Sequence, residues 1–89
     1  MTIQYQGREF TIEATDDARE PYRLVGKRGG ALTLVRDGRS DRMFIVRTAS
    51  GRPNGGYVAR LSDGQFLWLP NSGPEAPKAW RQWEADRAA

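Results

Sequence analysis

The side chains best suited to chemistry in this 89-residue chain are arginines. Lys27-Arg28 precedes Gly29-Gly30, Arg36, Arg39 and Arg42 surround Asp37-Gly38, and Arg52 follows Gly51. Arginine offers a planar fork of donors to phosphate or carboxylate, and a neighbouring glycine lets the backbone approach a ligand. Tyr22 and Tyr57 flank these basic segments, where an exposed ring could stack on a nucleic-acid base. The pattern is neither a phosphate-cradling Walker loop nor a dinucleotide fingerprint. Lys27, Arg28, Arg36, Arg39, Arg42, Arg52 and Tyr57 are therefore the candidate binding residues, for nucleic acid or for a protein partner.

Other chemistries are poorly supplied. The chain has no histidine and no cysteine, which removes the commonest general base, the thiol nucleophile and the usual zinc ligands. The carboxylates group as Asp16-Asp17 with Glu20, and as Glu84 with Asp86, at spacings that fit no metal loop. The expectation is a non-catalytic protein with no catalytic residues, no metal and no small-molecule cofactor.

The charge is segregated. The formal net charge is only +3, yet residues 19–60 carry a balance of +7, against −3 for residues 1–18 and −1 for residues 61–89. Such clustering is the electrostatic footprint expected of a partner rich in phosphate or carboxylate. No apolar run is long enough to span a bilayer, and the first residues lack the charged and apolar regions of a secretory signal. A cytoplasmic location follows as the expectation.

The elements that must position these side chains are short. Apolar runs separated by Gly, Pro, Asn and Asp predict a mainly β chain. Ile3–Tyr5 and Arg8–Glu13 flank Gln6-Gly7, and a two-residue turn there sets Tyr5 opposite Arg8 and Ile3 opposite Phe10. Further strands are expected at Tyr22–Gly26, Ala31–Arg36, Met43–Thr48, Tyr57–Leu61 and Gln65–Leu69, with residues 49–56 as a loop. Ser62-Asp63-Gly64 is the strongest hairpin signal, read as a type I′ turn. Phe10, Phe44, Phe66 and Trp68 are expected in the core.

Met43-Phe44-Ile45-Val46 and Phe66-Leu67-Trp68-Leu69 are apolar on both faces, so each needs a second cover. The segment carrying Trp80 and Trp83 can supply it as a short helix whose rings pack on an outer face. The expected architecture is one domain over residues 1–89. Residues 1–70 form a small antiparallel barrel or curled sheet of about six strands, SH3-like as the leading form. Residues 71–77 link it to a terminal helix over 78–88.

The function expected is a binding module whose arginine-rich surface meets nucleic acid or a nucleic-acid-processing complex. The alternative is a small protein-interaction module or inhibitor, for example a phage or mobile-element protein that blocks a host nucleic-acid enzyme.

Overall fold

The computed structural model describes residues 1–38 and 40–88. Its strands are β1 (Thr2–Tyr5), β2 (Arg8–Ala14), β3 (Tyr22–Gly26), β4 (Ala31–Arg36), β5 (Met43–Arg47), β6 (Pro53–Arg60) and β7 (Phe66–Leu69), and one helix, α1 (Ala76–Ala88), follows. The chain is mainly β, and the seven strands, rather than about six, pair in sequence order as an antiparallel meander curled into a nearly closed barrel.

Alternation along each strand sends one set of side chains inward. Ile3, Tyr5, Phe10, Leu24, Leu34, Phe44, Val46 and Val58 fill the interior, with Ile12, Tyr22, Leu32, Phe66 and Trp68 packed against them. The first hairpin explains how the register is set. Gln6 and Gly7 both adopt positive φ (51° and 75°), the signature of a two-residue type I′ turn. That turn pairs Tyr5 with Arg8 and Ile3 with Phe10, so the aromatic and aliphatic residues of both strands face the core together.

Seven is an odd number, so β1 and β7 run in the same direction and cannot join as an antiparallel pair. Among the described residues no hydrogen-bonded ladder links them. Side chains seal the seam instead. The rings of Tyr5 and Trp68 lie 5.2 Å apart. The Tyr5 hydroxyl donates to the Asn54 carbonyl and, at 3.2 Å, to that of Gly55, which also accepts from Trp68 Nε1 at 3.2 Å. Burial pushes the Tyr5 hydroxyl pKa up to about 12.

Two local readings are corrected. Pro53 to Gly56 belong to β6 rather than to a loop. Moving from Ile45 to Arg47 on β5 shifts the partner from Tyr57 to Pro53, an irregularity that accommodates Gly55 and Gly56 at positive φ. The hairpin between β6 and β7 is present, but its turn is not type I′. Only Gly64 has positive φ (89°), the Gly64 N–H donates to the Leu61 carbonyl at 3.0 Å, and the Leu61 N–H donates to Gln65 at 2.7 Å. This is a type I turn closed by a glycine bulge, which spares Asp63 an unfavourable conformation and frees its Oδ1 to accept from the Gln65 N–H at 2.9 Å.

The outer apolar faces form a second cluster. Ala59 and Leu69 are buried with Ala79 and Trp83 of α1, and Met43, Tyr57, Leu61, Leu67 and Trp80 surround them. The helix begins at Ala76, two residues before the expected 78, because Pro77 falls in the first turn, where an N–H has no helical partner to lose. Trp80 Nε1 donates to the Pro70 carbonyl at 2.8 Å, tying the start of the helix to the end of β7. Among the described residues no helix is long and apolar enough to cross a membrane.

Candidate functional site: an arginine-lined barrel mouth

A meander alternates its connections between two ends. The turns at residues 6–7, 27–30 and 48–52 lie at one end, and those at 15–21, 37–42 and 61–65 at the other. The basic loops are therefore divided. Lys27 and Arg28 share a shallow depression with Arg8 and Glu9, and Arg52 lies in a loop at the same end. Arg36 and Arg42 belong to the opposite end. Arg39 lies outside the described residues. Tyr57 is on the outer face of β6, where its ring meets Trp80 edge to face at 6.1 Å.

The second end holds the more defined site. Inward-facing alternation runs Leu32, Leu34, Arg36 on β4 and Val58, Arg60 on β6, so the last inward position of each strand is an arginine at the mouth. Cross-strand partners set the rest: Arg36 sits opposite Phe44, and Arg60 opposite Phe66. Tyr22 completes the floor, its ring edge to face with Phe44 at 5.5 Å and with Phe66 at 5.1 Å. The resulting open cavity of about 410 Å³ is lined by Tyr22, Arg36, Asp41, Arg42, Phe44 and Arg60, with Leu61, Ser62 and Gly64 from the hairpin.

The three guanidinium groups are held differently. Arg36 donates through Nε to the Ala18 carbonyl at 3.1 Å and through Nη1 to the Asp41 carbonyl at 3.4 Å, and its own N–H donates to Arg19 at 2.9 Å. Backbone carbonyls orient it without cancelling its charge. Arg42 pairs with Asp86 of α1 at 3.1 Å and lies over the Trp83 ring at 5.1 Å. Arg60 is exposed, and its side chain reaches into the mouth from β6. It is the residue that the clustering of charge did not single out. The signal was present in Val58-Ala59-Arg60, where the arginine shares the inward face of Val58.

Asp86 joins the mouth to the helix. Its carboxylate accepts from Ser62 Oγ at 2.8 Å, from the Ser62 N–H at 3.1 Å and from Arg42. Those bonds, the Ser62 hydroxyl first, hold its pKa below the ordinary carboxylate value. A depressed carboxylate pKa stabilises the fold fully above the unfolded value and loses that contribution as pH falls through the folded one. The stability difference between the native protein and Asp86→Asn is thus constant at neutral pH and shrinks on acidification below the ordinary carboxylate range. Thermal melts of both proteins across that range check this, and a difference independent of pH overturns it.

Among the described residues no group of histidine, cysteine or acidic side chains is arranged to hold a metal ion. What the mouth offers is oriented positive charge above an aromatic floor. No family model, curated protein or solved structure matches the chain, so the reading rests on this geometry.

Proposed function

We propose that this chain is a non-catalytic, cytoplasmic binding module that engages nucleic acid, or a nucleic-acid-processing complex, through its arginine-bearing barrel mouth. The observation that supports it most is the placement of Arg36 and Arg60 at inward positions of the mouth, where Arg42 joins them. Inward positions of a small barrel are ordinarily apolar, and guanidinium groups gathered at its mouth suit an anionic ligand entering from the end. Arg28 and Arg52 at the other end act as long-range attraction for the same polyanion.

The experiment is a titration of mixed-sequence DNA and RNA at low and moderate salt. Replacing Arg36 and Arg60 together by Ala is expected to weaken binding about tenfold or more and to lower the log–log salt slope by roughly 0.7 to 0.9, the value for one phosphate contact. No binding at low salt sinks the reading.

A second reading, a protein-interaction module or inhibitor, is favoured by one feature. Beside α1 lies an open groove of about 430 Å³ lined by Met43, Tyr57, Trp80, Trp83, Glu84 and Arg87, with Ser40 at its edge. A half-buried tryptophan in an open groove of mixed aromatic and charged lining is the kind of anchor that concentrates binding energy in protein interfaces. Capture of a nucleic-acid enzyme from a host lysate, lost on Trp80→Ala but kept on replacement of Arg36 and Arg60, selects this reading.

A further inference from the structure

Resting on the nucleic-acid reading, we infer that the mouth takes a single nucleotide splayed out of a single strand, its base against Tyr22 and one flanking phosphodiester between Arg36 and Arg60. Three observations carry this. The first is size. A cavity of about 410 Å³ falls in the range of sites that enclose one small ligand, about 300 to 1,000 Å³. The arginines face into that cup rather than along a convex surface, and a base that stays stacked and paired inside a duplex cannot reach the Tyr22 ring within it.

The second is charge. Asp86 takes up Arg42, while Arg36 is oriented by the Ala18 and Asp41 carbonyls, so the guanidinium groups of Arg36 and Arg60 are the ones that meet a phosphate in the cavity. An internal phosphodiester flanks every base splayed from a strand, whereas a phosphorylated end offers its phosphate only at the terminal nucleotide, so an internal linkage is the contact expected.

The third is the aromatic wall. Tyr22 lines the cavity and is held by edge-to-face contacts with Phe44 and Phe66, which fix its ring at the mouth. A base laid on a preset ring adds affinity without a specific hydrogen-bond code, so recognition is broad in sequence. Leu61, from the neighbouring hairpin, offers an apolar surface on the same cavity.

Fluorescent single-stranded oligonucleotides of mixed sequence, the same sequences as blunt duplexes, and the single strands with a 5′-phosphate are the probes. Single strands are expected to bind more tightly than duplexes by about tenfold or more, with no gain from the 5′-phosphate. Arg60→Gln, at an exposed side chain, is expected to weaken single-strand binding about fivefold to tenfold and to lower its salt slope by less than the roughly 0.7 of a whole phosphate contact on a single strand, because Arg36 still meets the same phosphate. Tyr22→Leu is expected to weaken it by a similar factor with an unchanged salt slope, and a melting curve of each variant confirms that it is folded.

Duplex binding as tight as single-strand binding, a 5′-phosphate that tightens it tenfold, or an Arg60→Gln protein that binds as the native one does, each overturns the splayed-nucleotide site while leaving a nucleic-acid module intact. Absence of binding to every probe at low salt overturns both.

Discussion

Replacing Trp83 by alanine is expected to destabilise the protein by about 3 to 5 kcal/mol, the range for removing a large aromatic from a packed site. Trp83 is 2% exposed and shares its cluster with Ala59, Leu69 and Ala79. Its ring is also approached by two guanidinium groups, Arg42 at 5.1 Å and Arg87 at 5.8 Å. Truncation removes the apolar surface, leaves a cavity over Ala59 and Leu69, and takes away the ring on which Arg42 rests while it pairs with Asp86. A domain of this size has a net stability of about 5 to 15 kcal/mol, so a large share of it is at stake. The expected readout is a fall of roughly 12 °C or more in Tm, and a urea midpoint lowered in proportion. Trp80→Ala is the control. Trp80 is only half-buried, so its loss is expected to cost clearly less. Equal effects at the two positions would mean that the helix is not seated as described.

The double-sided apolar character of β5 and β7 is where the sequence was most informative about three-dimensional arrangement. Phe44 and Val46 turn into the barrel, while Met43 lies under the helix; Phe66 and Trp68 turn in, while Leu67 and Leu69 turn out to α1. Alternation supplies both faces once the strand is placed, so these residues could be assigned from pattern alone. The first hairpin was equally legible, because Gln6-Gly7 leaves only one register that buries Ile3, Tyr5, Phe10 and Ile12 together.

Less legible was whatever depends on closure. Pro53-Asn54-Gly55-Gly56 has the composition of a loop, and nothing local says otherwise. It extends β6 because Tyr5 and Trp68, distant in sequence, hydrogen-bond to its carbonyls. The site divides in the same way. Positive charge concentrated in residues 19–60 is visible by counting. Its division between two ends follows only from the parity of the meander, which sets Arg28 and Arg52 apart from Arg36 and Arg42. Arg60 counts only as one more basic residue of that segment until β6 is placed, when it becomes the next inward residue after Val58.

Gly56→Ala is expected to be the most damaging of the glycine-to-alanine changes, at about 2 to 5 kcal/mol. Two effects add. Gly56 has φ of 80°, and a residue with a Cβ held there loses about 1 to 2 kcal/mol. The added Cβ would also stand 2.4 Å from the Leu69 carbonyl oxygen and 3.1 Å from both Pro70 Cα and Trp68 Nε1. Two of those three are backbone atoms, fixed by the β6–β7 ladder and by the Trp80 hydrogen bond to Pro70. Relief requires β7 to move away from β6, which disturbs Trp68 at the seam; overpacking of this kind costs about 1 to 3 kcal/mol. Gly55 provides the comparison within the same bulge. It also has positive φ (55°), but a Cβ there meets the far end of the Gln6 side chain, which can swing aside. Gly55→Ala should therefore lose only the backbone part, about 1 to 2 kcal/mol. Urea denaturation of the two variants beside the native protein separates the contributions. If Gly56→Ala proves no costlier than Gly55→Ala, the close approach of β6 to the end of β7 is not a feature of the folded protein, and the account of how the barrel seals its seam fails with it.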